Sequence, residues 1–124
     1  MKNKILISIH PDHVQNILKG IKKYEYRKSV AKQEIASILI YETRPTMKVV
    51  AEVEIVSVMS LSPESLWSLT GNESGVDKGF FDNYFKGRNV AYAYKLGKVK
   101  VFKKPRSLNF YGVKNAPQSF VYLE

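Results

Sequence analysis

The segment from Gly20 to Arg27 constrains the fold most, because a helix ends and a strand begins within it. Gly20 can adopt the left-handed conformation that closes a last helical turn, and the apolar residues before it recur at helical spacing. In the strand that follows, Lys23, Glu25 and Arg27 would lie on one face and the two intervening tyrosines on the other. The segment therefore predicts a helix followed directly by a strand with a charged face.

Glu25 and Arg27 can form a charge-assisted pair, because residues two apart in a strand share a face. Lys22 lies at the turn before the strand, where its side chain is expected to project freely, stay protonated and anchor an anion. Desolvation and a neighbouring cation would instead lower the pKa of this lysine and let it act as a base or nucleophile. Glu73, in a later loop, is a possible second carboxylate, so the catalytic candidates of an enzyme are Lys22, Glu25 and Glu73.

Apolar and alternating runs predict further strands along the chain. Besides the strand after Gly20, strands are expected at 5–9, 36–43, 49–59, 90–96, 99–102 and 119–123. Gly97 is expected to bend the chain between two of them. With 90–96 and 99–102 taken as one bent strand, some five to six strands with two to three helices beside them indicate an α+β fold with a small β-barrel. The length of 124 residues corresponds to a single domain, residues 1–124.

Three positions carry helix-start signals. Pro11 suits the first position of one helix, Ser62 caps a second, and Asp77 caps a third. The third helix is expected to present one apolar stripe, formed by Phe80, Phe81, Tyr84 and Phe85. Helices therefore follow the first strand and separate later ones.

The charge is strongly positive, with 20 Lys and Arg against 11 Asp and Glu and a net charge of +9. Basic residues collect at 19–32 and 86–114, whereas 52–82 is acidic. This distribution predicts a positive face that attracts RNA or another polyanion. Cations would neutralise phosphates and aromatic rings would stack on unpaired bases. The candidate ligand-binding residues are Lys22, Lys23, Tyr24, Glu25, Arg27, Tyr84, Lys86 and Arg88, with Tyr111 as a further stacking candidate.

Several functional classes lack their usual residues. The sequence contains no cysteine, which excludes disulfides and thiol nucleophiles and fits a cytoplasmic protein. No apolar stretch approaches the ~20 residues that cross a bilayer, and the first residues do not form a signal peptide. His10 and His13 could chelate a metal only with a third ligand, so a capping or surface role is expected, with no metal and no cofactor. No feature specifies an oligomeric state.

The order of residues G-x-K-x-x-E-x-R at Gly20–Arg27 resembles the signature of ASCH domains, which are small members of the PUA-like superfamily. The opening strand and first helix are similar to those of the family. The segment from Gly75 to Arg88 resembles part of one ASCH subgroup, so the likeness covers nearly the whole chain. It implies a PUA-like pseudobarrel with helices near its open ends and a cleft lined by the signature strand.

The resemblance also implies a set of functions. PUA-like domains generally bind RNA or modified bases, which makes an RNA-binding or modified-base-binding domain the first expectation. The alternative is a small hydrolase in the same cleft. One branch deacylates acetylcytidine with a lysine, a threonine and a glutamate, which Lys22 and Glu73 match while Glu25 replaces the threonine. Other ASCH proteins cleave RNA. The same basic residues allow a third interpretation, in which the protein is a basic module that docks on an acidic protein surface.

Overall fold

The computed structural model describes residues 3–123, in which six strands form one sheet flanked by three α-helices. The strands are β1 (Lys4–Ile9), β2 (Tyr24–Arg27), β3 (Ser37–Glu42), β4 (Lys48–Leu61), β5 (Ala91–Arg106) and β6 (Phe120–Leu123). The helices are α1 (Pro11–Leu18), α2 (Pro63–Thr70) and α3 (Lys78–Tyr84), with 3-10 turns at Gly71–Glu73 and Leu108–Tyr111.

The sheet curls into a half-barrel with the strand order β2-β5-β4-β3-β1-β6. Strands β1 and β3 pair in parallel, and the other described pairs are antiparallel. A parallel pair needs a long crossover connection, which α1 and β2 provide here. The predicted α+β architecture with a small barrel-like sheet is confirmed. Strands β2 and β6 end the strand order, so the sheet is an open half-barrel.

Two clusters of buried residues determine where the helices lie. Branched aliphatic residues of β1, β3 and β4 form one cluster with Val14 and Ile17 of α1, which places α1 against these strands. A second cluster joins Tyr26 of β2 to Phe81 and Phe85, with Leu66 of α2. Aromatic packing against the short strand β2 therefore anchors α3 beside it.

The helix caps are those predicted. The backbone N–H of Asp12 donates to His10 Nδ1 at 3.4 Å, so His10 has the capping role expected of it. Ser62 caps α2, and the carboxylate of Asp77 accepts from the N–H of Phe80 at 2.8 Å.

The bend predicted at Gly97 does not interrupt the strand, since β5 runs unbroken through this residue. A Cβ at this position would come within 2.5 Å of Glu54 Oε1, so the glycine lets that side chain cross the strand. The irregularity appears instead as shifts of register between β4 and β5 around Ile55. Strands β4 and β5, which α2 and α3 connect, therefore form one long antiparallel pair within the sheet.

Candidate functional site

A cleft of about 160 Å³ opens where the end of β1, the start of α1, strand β2 and helix α3 meet. Strand β2 supplies Glu25, Tyr26 and Arg27, and Lys22 enters just before this strand. The volume is below the roughly 300–1,000 Å³ of sites that enclose a drug-sized ligand. The cleft can therefore enclose only a small group or one part of a larger ligand.

Lys22 is buried, with its side chain 3 % exposed, so the expectation of a freely projecting side chain is wrong. Its backbone N–H donates to the Asn16 carbonyl, which continues the tight turn after α1. The ammonium donates to the carbonyl of Ser74 at 2.8 Å and lies 3.8 Å from Glu25 Oε1. The loop around Ser74 therefore covers a lysine that local sequence would leave in solvent.

Burial is the main reason why the pKa of Lys22 lies below its usual value. The carboxylate of Glu25 opposes this shift, while the guanidinium of Arg27 adds to it. A lysine ammonium with a lowered pKa releases its proton more readily than one in water. The site therefore holds a cation that can act as an acid as well as an electrostatic anchor.

The predicted pairing of Glu25 with Arg27 is confirmed. Arg27 Nε and Nη2 donate to Glu25 Oε2 at 3.1 and 2.9 Å. Nη2 also donates to the carbonyl of Ser8 on β1 at 3.0 Å, a strand that is not adjacent to β2 in the sheet. The guanidinium therefore bridges the mouth of the half-barrel and is held in one orientation beside the cleft.

The wall made by α1 and α3 contains His13, Phe80 and Tyr84. His13 and Phe80 were not identified as ligand-binding candidates from the sequence. His13 Nδ1 is buried and has no hydrogen-bond partner among the described residues. Burial first, and then the charge of Lys22, lower the pKa of His13. The position of His13 three residues after the capping His10, on the first turn of α1, is the only sequence signal for it.

Other predicted residues lie outside the cleft. Glu73 does not line the cleft; its carboxylate pairs with Lys23 at 3.2 Å on the exposed surface. Lys86 and Arg88 are exposed beyond the end of α3, and Tyr24 packs against the aromatic cluster. Tyr111 accepts from Arg106 at 2.9 Å, next to the end of β5. Among residues 3–123, no group of three or more His, Asp or Glu side chains could hold a metal ion.

We expect Gly75→Ala to destabilise the fold by about 1–3 kcal/mol, because alanine is strained in the left-handed backbone conformation of this residue. The close contact of the added Cβ with Lys22 should increase the loss further. Gly75 has φ +72°, and a Cβ there would lie 3.0 Å from Lys22 Cβ. Urea denaturation measures the change. Gly87→Ala is the matched control, with φ +79° and nothing within 4 Å. Equal losses in the two variants would contradict a tight contact between this loop and Lys22.

Three relatives resemble the chain over most of its length. The large ribosomal subunit protein uL22 of Ureaplasma parvum is 29 % identical over 121 residues, which are 97 % of this chain but 39 % of that protein. The chain thus spans about two fifths of this relative. An ASCH domain-containing ribonuclease of Zymomonas mobilis is 28 % identical over 96 residues, 77 % of this chain and 65 % of the ribonuclease. The crystal structure of ASCH from Zymomonas mobilis superposes with a TM-score of 0.89 at 25 % identity, covering 98 % of this chain and 87 % of that one.

No helix within residues 3–123 is long and apolar enough to cross a membrane. The ASCH domain profile matches residues 7–105, which include the second half of β1, the cleft and nearly all of β5. The buried lysine, the Glu25–Arg27 pair and strands β2, β3 and β4 all lie within this match. The chain belongs to the ASCH domain family.

Proposed function

We propose that this protein cleaves single-stranded RNA in the cleft between β2, α1 and α3. The observation that carries the proposal is the burial of the Lys22 ammonium beside a fixed Arg27 guanidinium. Two cations in a small, partly desolvated cleft favour a phosphate, and the lowered pKa of Lys22 makes it a proton donor. The relative named as a ribonuclease supports this choice of reaction.

The chemistry needs no group beyond those of the cleft and the RNA itself. The 2′-hydroxyl oxygen attacks the adjacent phosphorus, and the imidazole of His13 accepts the hydroxyl proton at Nε2. The P–O5′ bond breaks with its electron pair on the 5′-oxygen, which takes a proton from the ammonium of Lys22. Arg27 neutralises charge on the non-bridging oxygens, and Glu25 holds Arg27 in place. The products are a 2′,3′-cyclic phosphate and a 5′-hydroxyl.

The two other functions of this cleft have less support. Deacylation of a nucleoside would need the threonine that Glu25 replaces, and the nearby Tyr26 and Thr70 hydroxyls are hydrogen-bonded to each other at 2.6 Å. RNA binding without cleavage would use the same cations, but it gives no reason to bury the lysine. An exposed ammonium would bind a phosphate without the cost of desolvation.

The test is incubation of the protein with an end-labelled, unstructured RNA, followed by analysis of the product ends. We expect fragments with 2′,3′-cyclic phosphates, and no cleavage of the corresponding all-deoxy strand. The rate should rise with pH as His13 deprotonates, with a midpoint below 6.5, and fall as Lys22 deprotonates, with a midpoint below 10.5. RNA that is bound but stays intact, or release of acetate from acetylcytidine while RNA stays intact, would contradict the proposal.

A further inference from the structure

Helix α3 does not present the single apolar stripe that its sequence predicts. Phe81 and Phe85 are 1 and 2 % exposed and pack in the aromatic cluster, whereas Phe80 is 46 % exposed. Phe80 and Tyr84 are four residues apart, so they share the adjacent face of the helix. That face forms one wall of the cleft. A large apolar ring is thus left in contact with water at the edge of a charged site.

The geometry of this wall is ordered. The rings of Phe80 and Tyr84 are nearly parallel, 6° apart, with their centroids 6.2 Å from each other. His13 contacts Phe80 edge-on, at 5.4 Å between centroids and 60° between planes. The ammonium of Lys28 lies 4.9 Å from the centre of the Tyr84 ring. The Phe80 ring is therefore held between neighbours and still has surface to offer.

Charges next to the wall define the kind of molecule that can cover it. Lys22 and Arg27 line the same cleft as Phe80, and Lys28 lies beside Tyr84. An occupant must therefore combine a flat apolar face with an adjacent negative charge. An unpaired nucleotide does so, since every base has a π-face and a phosphate is attached within the same unit.

We propose that Phe80 is the stacking platform for an unpaired base adjoining the phosphate that is cleaved; this inference rests on the proposed function. Stacking on an aromatic face tolerates any base but requires that the base be free of a duplex. The platform therefore restricts the substrate to single-stranded RNA without selecting its sequence. Tyr84 supports the ring from one side and His13 from its edge.

The test is a binding cycle between protein and nucleic acid, with strands that the proposed reaction cannot cut. Two oligodeoxynucleotide hexamers are compared at one salt concentration, one with six adenines and one with six abasic sites. They carry the same phosphates, so they differ only in the bases. Phe80→Ala should weaken binding of the adenine strand about 5- to 150-fold and change binding of the abasic strand less than about 2-fold. Phe80→Tyr should restore the affinity for adenines.

Leu69→Ala is the matched control, because Leu69 is 66 % exposed on α2 and does not line the cleft. It should leave both affinities unchanged. Equal losses for the two strands in Phe80→Ala, or no loss for either, would overturn the inference. If the wild type cuts RNA but Phe80→Ala binds the adenine strand as tightly as the wild type does, the stacking platform is refuted and the proposed cleavage is not. If Phe80→Ala weakens binding of the adenine strand alone but the wild type never cuts RNA, the stacking platform is supported and the proposed cleavage is refuted.

Discussion

Replacing Lys22 by methionine is expected to lower the rate of RNA cleavage by a factor of about 10² to 10⁴, the usual contribution of a positioned acid or base. Methionine is close to lysine in length but cannot donate a proton to the 5′-oxygen. Its neutral side chain also removes one of the two cations beside the phosphate. Single-turnover cleavage of an end-labelled RNA measures the effect.

The same substitution should leave thermal stability unchanged or raise it. The pKa of Lys22 is lowered, so between that value and 10.5 the unfolded chain binds more protons than the folded one. Stability from this group therefore rises with pH through that window, and below the window the cost of burying the ammonium is fully present. Methionine removes this cost. Glu25 keeps its pair with Arg27, while the carbonyl of Ser74 loses a donor and Glu25 Oε1 loses a cation 3.8 Å away.

Lys48→Met is the control for this experiment, because Lys48 is an exposed cation at the start of β4 that does not line the cleft. It removes the same charge from the protein as a whole and should change the rate less than about 3-fold. A Lys22→Met variant that stays folded and cleaves RNA at the wild-type rate would refute the assigned role. A Lys22→Met variant that unfolds would show that the hydrogen bond to Ser74 outweighs desolvation.

Arg27→Met should destabilise the fold by about 3–5 kcal/mol, the cost of removing one partner from a buried ion pair, since Glu25 then keeps only the more distant ammonium of Lys22, at 3.8 Å. The side chains of Glu25 and Arg27 are 8 and 16 % exposed. Loss of the guanidinium also frees the Ser8 carbonyl that it connects to β2. Urea denaturation at neutral pH measures the change in the free energy of unfolding.

A double-mutant cycle isolates the pair from the packing of its side chains. Glu25→Gln should cost less in the Arg27→Met background than in the wild type, because the bond between Glu25 and Arg27 is already lost there. Lys78→Met is the control, since its pair with Asp82 is exposed and is expected to contribute less than about 1 kcal/mol. Additive losses at positions 25 and 27 would contradict the coupling that their geometry predicts.

Properties that depend on near neighbours in the chain could be predicted without a structure. The alternation of side chains in β2 was enough to place Glu25 and Arg27 together, because strand periodicity is a property of the backbone. The caps of α2 and α3 followed from Ser62 and Asp77 for the same reason, since a capping bond spans only three residues. The resemblance to ASCH domains predicted a barrel-like sheet, whereas periodicity alone could not predict the order of its strands.

The chemistry of the site depends on contacts between distant parts of the chain. Lys22 is buried because a loop 52 residues later covers it, and no local pattern encodes that contact. The same loop directs Glu73 toward Lys23 and away from the cleft. Phe80 and Phe81 are neighbours in sequence, yet only packing against Tyr26 decides which of them enters the core. Secondary structure follows from short-range sterics, whereas burial, and with it the pKa of Lys22, follows from which surfaces meet when the sheet and helices pack.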